Sequence, residues 1–268
     1  MHVHVLDPFH AVESPIHSAD PRVKISCTLL YIAACSLMPI AAWPAYLLLF
    51  AVVLAVEILS RLGVAYVIKR AALALPFALA ALPMVFTTEG RLLFAIPLGG
   101  GSLAATTEGL ARFASTVLKS WFSVQAAIVL TSSTPFPELL QAMRAIRVPK
   151  LLVAVFGLMW RYLFVLVDEA LRLARARSAR SGYPAGSQTR PGGTVAWRAK
   201  VTGGMAGNLL LRAFERSERI YAAMLSRGYD GEARAVPLPP LGINDKLTLL
   251  AAGFFALFLL VLGSVFAG

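Results

Sequence analysis

The stretch ISCTLLYIAACSLMPIAAWPAYLLLFAVVLAV, residues 25–56, runs for 32 residues without a charged side chain, between Lys24 and Glu57. One bilayer crossing needs about 20 apolar residues, so the run is too long for one span and slightly short for two. Pro39 and the Trp43-Pro44 step break it near its middle, where a helical hairpin must turn. The pattern predicts two short spans, with Trp43 and Tyr46 near the interface. Glu57 and Arg61 follow four residues apart, a spacing expected to pair them at the membrane edge.

The rest of the chain bears out this setting. Of its 268 residues, 58% are hydrophobic, and the mean hydropathy is +0.71. A core of this size could not hide so much apolar surface, so lipid must cover part of it. A third span is expected over residues 71–88, a fourth over 113–130 with Lys119 as a flaw, and a fifth over 247–268. Residues 90–109, rich in glycine and β-prone side chains, read as a hairpin or loop on the outer side. Residues 151–167 could also span, but Arg161 would then lie near the bilayer centre at a cost of a few kcal/mol. A helix lying against the membrane is therefore preferred for them.

Charge sets the orientation. The formal net charge is +11, and residues 132–246 hold 17 of the 25 Lys and Arg against eight of the 14 acids, a regional net of +9. Positive-inside reasoning puts this block, the 61–70 loop and the N-terminus in the cytoplasm, with the C-terminus outside. Nucleic acid, the other common partner of basic chains, does not suit the apolar spans. The expected organisation is an N-terminal segment with four spans (1–131), a cytoplasmic module (132–245) and a last span (246–268). Residues 1–20 lack the basic start and long apolar stretch of a cleavable signal. Cys27 and Cys35 fit neither a redox pair nor a zinc site and read as spectators.

Within the cytoplasmic block, PFPELLQAMRAIRVP (135–149) places Leu139, Leu140, Met143 and Ile146 on one face and Glu138, Gln141, Arg144 and Arg147 on the other, an amphipathic helix. A long helix is expected from about Lys150 to Arg180, then a loop over residues 181–197, then a second long helix from about Met205 to Arg227. On the second helix, Leu210, Phe214, Ser217, Tyr221 and Met224 alternate by four and three, a stripe suited to packing on a neighbour. Arg161 is expected to pair with Asp168 or Glu169.

Both long helices close on the same pattern: Ala179-Arg180-Ser181 before Gly182, and Ser226-Arg227-Gly228. A glycine cap with a basic last turn accounts for either one alone. Its recurrence points to docking, because an arginine at a helix end can meet a carboxylate bidentately in a partner's cleft. The paired small-Arg-small ends resemble the two signature motifs of T components, the transmembrane coupling subunits of energy-coupling factor (ECF) transporters. SPIHSADPRVKI (14–25), PFPELLQAMRAIRVPKLL (135–152), WRYLFVLVDEALRLARARSARSG (160–182) and ERSERIYAAMLSRGYDG (215–231) are similar to the cobalt-type branch, CbiQ. One departure is that the first motif reads Ala-Arg-Ser where the family more often has Ala-Arg-Gly.

The resemblance implies an all-α, polytopic membrane bundle of about five spans with cytoplasmic coupling helices, in the cell's inner membrane. It implies two ABC-type, CbiO-like ATPase subunits that hold the ATP and Mg2+, and a CbiM-like substrate-binding membrane subunit with a small CbiN-like companion. Co2+ is the expected cargo, with Ni2+ or a vitamin as the alternatives. Arg180 and Arg227, flanked by Ala179, Ser181, Ser226 and Gly228, would enter grooves on the ATPases. This chain itself has no P-loop, so ATP hydrolysis is not expected of it. The GGGSLA run (99–104) lacks the acid of a dinucleotide fold and reads as a turn. His2, His4, His10 and His17, with Asp7, Glu13 and Asp20, could loosely gather a metal, but a solvated terminus is the simpler reading. Arg22 and Lys24 read as interfacial anchors.

Two other functions remain to be weighed. A secondary transporter needs ionisable residues lining its spans, and only Lys119 and Glu57 are offered. A basic membrane scaffold could use Arg172–Arg180 on anionic lipid, but charge alone would serve it, so lysine would do as well as arginine.

Overall fold

The computed structural model describes residues 8–40, 42–98, 101–180, 194–231 and 239–267. The chain divides into two compact units, residues 1–146 with 237–268, and residues 147–236.

The first unit opens with a one-turn helix, α1 (Pro15–Ser18), and the expected hairpin, α2 (Pro21–Leu37) and α3 (Trp43–Ser60). Asp20 caps α2 by accepting from the Arg22 N–H at 2.8 Å, with Pro21 in the first turn, where its missing N–H costs nothing. Two tyrosines fasten the hairpin. Tyr46 donates to the Pro39 carbonyl and Tyr31 to the Leu49 carbonyl, each at 3.0 Å.

The third segment begins earlier than the sequence suggests and is not one smooth helix. It comprises α4 (Val64–Ala71), a 3-10 turn (Ala72–Ala74), α5 (Leu75–Leu79) and α6 (Met84–Thr87). Pro76 and Pro83 each remove an N–H from the ladder, which is the physical cause of the breaks. The glycine-rich region folds as an antiparallel hairpin of β1 (Leu92–Leu98) and β2 (Gly101–Thr106). Its turn, with two of the GGGSLA glycines, lies outside the described residues.

The helix α7 (Thr107–Ser133) packs on α2, α3 and α6. Thr106 caps it by accepting from the Gly109 N–H, and a Cβ at Gly109 would lie 2.6 Å from the Val85 carbonyl, so only glycine allows this approach to α6. Lys119, an apparent flaw in a span, donates to the carbonyls of Ser36 and Met38 at 3.2 and 2.6 Å. These carbonyls close α2 and have no helical partner, so the ammonium serves as their cap. The core joins Cys35, Met38, Tyr46 and Leu49 to Phe122 of α7 and to Leu259 of α11 (Ile243–Ala267). Both cysteines are free.

One sequence expectation fails here, and another holds except at its last residue. Glu57 is 1% exposed and points into the unit, where its Oε1 has no hydrogen-bond partner among the described residues. It does not pair with Arg61, which closes α3 in the left-handed region at φ 54° and so leaves the helical face that i,i+4 pairing requires. The amphipathic helix α8 (Phe136–Ala145) forms and packs on α2, but around Ala142, with Ile146 39% exposed. Arg147 has φ 66°, so the helix has ended before Ile146 can complete the stripe.

The N-terminal segment is stapled to this unit rather than solvated. The His10 N–H donates to the Ser132 carbonyl, and its ring lies 2.9 Å from the Tyr66 hydroxyl. His17 donates from Nε2 to the His10 carbonyl at 3.0 Å, while its Nδ1 lies 2.7 Å from Ser14 Oγ. This arrangement suits the neutral ring. Partial burial, opposed by the His10 carbonyl and reinforced by the nearby Lys24 charge, holds the His17 pKa below its ordinary 6.5. A depressed histidine pKa means that the unfolded segment binds protons first. The staple is therefore complete above pH 6.5 and weakens as pH falls through the folded pKa. Limited proteolysis between pH 7.5 and 5 is expected to show residues 8–20 cleaved faster on the acid side. His17→Gln should flatten that dependence, and an unchanged slope would remove His17 as its source.

Candidate functional site

The second unit is built from α9 (Lys150–Arg180) and α10 (Val195–Leu225). The loop expected over residues 181–197 ends sooner than predicted, because Thr194 caps α10 by accepting from the Trp197 N–H at 3.3 Å. Gly203, Gly204 and Gly207 lie inside this helix, which begins at Val195 rather than near Met205. Their entropic cost is spread over a helix of 31 residues.

An ionic clamp joins the two helices. Arg212 donates to Glu169 at 3.1 Å, and Arg216 lies 3.4 Å from the other oxygen of the same carboxylate. Further along, Arg177 donates to Thr202 at 2.8 Å and lies over the Trp197 ring. Residue numbers on α10 rise as those on α9 fall, so the helices run antiparallel. The expected pairing of Arg161 with Asp168 or Glu169 is not formed. Glu169 faces α10, whose two arginines give it a forked set of donors, while Arg161 and Asp168 are exposed.

The clamp also sets the rotation of α10. Val201, Met205, Leu209, Ala213, Arg216, Ile220 and Met224 are its half-buried positions. Most of the stripe expected to pack is instead exposed: Leu210 at 58%, Phe214 at 61% and Tyr221 at 57%. Apolar residues occupy 209, 210 and 211 in succession, so periodicity fits either face and the ion pairs decide between them.

The antiparallel arrangement carries the two arginine ends in opposite directions. At 1.5 Å per residue, Arg180 lies about 16 Å from the clamp one way and Arg227 about 22 Å the other, roughly 40 Å apart along the helices. At the second end, the Tyr229 N–H reaches back to the Met224 carbonyl at 3.0 Å and Gly228 adopts φ 78°, a left-handed cap that glycine alone takes without strain. Ser226 donates its hydroxyl to the Ala223 carbonyl. At the first end, α9 stops at Arg180 after Ala179; Ser181 and Gly182 lie outside the described residues. Both Arg180 and Arg227 are exposed, and neither guanidinium has an ion-pair partner among the described residues.

The N-terminal histidines are only partly within the described residues. His10 and His17 are spent on the staple, His2, His4 and Asp7 lie outside the described residues, and no three His, Cys, Asp or Glu converge among the described residues.

Among the described residues, five helical segments are long and apolar enough to cross a membrane: Trp43–Ser60, Val64–Thr87, Thr107–Ser133, Lys150–Arg180 and Ile243–Phe266. Four of the five expected spans are among them; α2, at 17 residues, is at the short end of a crossing, and α9 is added by its length and apolarity despite Arg161. A multi-pass, almost wholly helical membrane protein bearing a basic helical pair is the class that the fold defines. The chain belongs to the CbiQ family, described as cobalt transport protein, which matches residues 12–238. The cobalt transport protein CbiQ of Rhodobacter capsulatus is 29% identical over 179 residues, covering 65% of this chain and 70% of that protein. The energy-coupling factor transporter transmembrane protein EcfT of Heliobacterium modesticaldum is 28% identical over 272 residues, covering 94% and 95%. A putative fused cobalt transport protein CbiMQ of Methanocorpusculum labreanum is 26% identical, covering 92% of this chain and 41% of the fusion. The chain is thus a transmembrane component of the CbiQ/EcfT type in ECF transporters.

Proposed function

We propose that this T component transmits ATP-driven motion from two ABC-type ATPase subunits to a separate substrate-binding membrane subunit, for the uptake of Co2+. One observation carries this reading: the antiparallel pair α9 and α10 presents two exposed arginines, Arg180 and Arg227, at its opposite ends. Each can reach a different ATPase, with Ala179, Ser181, Ser226 and Gly228 keeping the surrounding backbone uncrowded. The clamp at Glu169 makes the pair stiff enough to pass on a displacement, and the exposed stripe of Leu210, Phe214 and Tyr221 offers apolar area to a moving partner. ATP and Mg2+ belong to the ATPases, and this chain performs no chemistry of its own. Its basic second unit and N-terminus face the cytoplasm, with the bundle in the cytoplasmic membrane.

The CbiM-like partner is suggested by the fused relative, whose printed name joins CbiM to CbiQ. The printed names of the EcfT relatives give no cargo, and a second reading differs in the cargo alone, with the same coupling serving Ni2+ or a vitamin.

Uptake of radioactive Co2+ by cells carrying this chain with its ATPase and substrate-binding subunits tests the proposal, with Ni2+ as the competing cargo. Arg180→Lys and Arg227→Lys are each expected to lower uptake about ten-fold, because lysine keeps the charge but lacks the planar fork. Undiminished uptake by both variants would overturn the docking role, and uptake of Ni2+ alone would overturn the cargo.

A further inference from the structure

Between α2, α3, α7 and α11 the first unit holds a cavity of about 610 Å3, within the size range of small-molecule sites. Its lining is graded along the span. Lys24, Ser133 and Thr248 lie at the end where α2 and α11 begin and α7 finishes, whereas Val53, Ala256 and Leu259 lie deeper. From Lys24 to Ala34, both on its wall, the distance along α2 is about 15 Å, half of a hydrocarbon core of ~30 Å. A narrow apolar slot with one polar end has the polarity of a single lipid leaflet.

The polar end holds a buried cation. Lys24 is 8% exposed, and its ammonium donates to the carbonyls of His17 at 2.9 Å and Ser133 at 3.3 Å. Both acceptors are neutral, and an ammonium has a third donor. Asp20 and Glu138 act on it only from beyond ion-pair distance, and the Asp20 carboxylate is held by Arg22. The carbonyls orient the charge without neutralising it, and a buried charge is expected to find a counter-charge. The opening therefore combines apolar walls with an unspent positive donor at one end.

We propose that this slot binds one acyl chain of an anionic phospholipid from the surrounding membrane, with the lipid phosphate taking the third N–H of Lys24. The small side chains of α11, Ala252 and Ala256 among them, leave the room for the chain. A neutral lipid or a partner helix would fill the same volume but would give Lys24 no counter-charge. The site lies within the first unit and does not rest on the docking role of the arginine ends.

Native mass spectrometry of the full chain, reconstituted with equal amounts of phosphatidylglycerol and phosphatidylcholine, is the test. The wild type is expected to retain one lipid and to prefer phosphatidylglycerol. Lys24→Gln should reduce that preference about five-fold, the value of one basic residue near an anionic surface. Ala252→Phe fills the slot while leaving Lys24 and its two carbonyls in place, and should remove the retained lipid altogether. Retention by Ala252→Phe equal to wild type would overturn the site, and a preference unchanged by Lys24→Gln would overturn its anionic character. Cross-linking of an Ala252→Cys variant to another protein chain in native membranes would also overturn it, by showing a helix in the slot.

Discussion

Co-purified with its ATPase, the Arg180→Glu, Arg227→Glu double variant is expected to lose the ATPase, while each single variant retains part of it. The expectation follows from geometry. The two guanidiniums lie at opposite ends of an antiparallel pair, so each end makes its own contact and the second contact is intramolecular once the first has formed. Reversing one charge replaces a charge-assisted hydrogen bond with repulsion. Loss of one partner from a desolvated pair costs about 2–5 kcal/mol, or roughly 30-fold to several thousand-fold in affinity. Bivalency hides much of that in a single variant and none of it in the double. The comparison requires equal membrane insertion of all forms, which the fold supports, since both arginines are exposed and have no ion-pair partner among the described residues. Wild-type recovery of the ATPase by the double variant would return both residues to the role of helix caps.

How much of this was legible in the sequence depends on which force decides each feature. The α2–α3 hairpin was readable because a long uncharged run broken by Pro39 and Pro44 leaves the backbone few alternatives in a membrane. The arginine ends were readable because a glycine cap after a basic turn is a local signal, and Gly228 does adopt the left-handed conformation. Long-range choices were not. Lys119 looked like a flaw because its acceptors, Ser36 and Met38, lie some 80 residues earlier in the chain. Glu57 looked like the partner of Arg61 because spacing alone cannot show that the helix ends in a left-handed residue between solvent and core. The rotation of α10 escaped periodicity because its apolar residues surround much of the helix, and the deciding contact, Glu169 with Arg212 and Arg216, spans more than 40 residues. The start of α10 escaped for a different reason: Gly203 and Gly204 stand just before the expected start at Met205, whereas the helix begins at Val195. These glycines carry a real local penalty, and the helix forms because its cap and its contacts with α9 offset it.

That clamp yields the last strong prediction. Glu169 is 15% exposed at its side chain and faces Arg212 and Arg216, which are 57% and 36% exposed. Such a half-shielded site is worth less than a buried ion pair and more than a surface one. Glu169→Arg removes two attractive contacts and sets three guanidiniums together, for an expected loss of ~2 kcal/mol from the α9–α10 association. If the helix pair transmits motion, transport should fall further than ATPase binding does, because the arginine ends persist while the joint between them loosens. The ratio of transport to ATP hydrolysis in the reconstituted complex reads this directly, and Glu169→Arg should lower it about ten-fold with hydrolysis largely preserved. Exchange of the charges, Glu169→Arg with Arg212→Glu, restores an attractive pair and keeps Arg216 beside the new carboxylate. Recovery of coupling by the exchanged variant would separate an ionic joint from a mere packing defect, since a packing defect would worsen with two substitutions. Equal coupling in all three proteins would show that the stiffness of the pair comes from its apolar seam, and that the clamp sets only the rotation of α10.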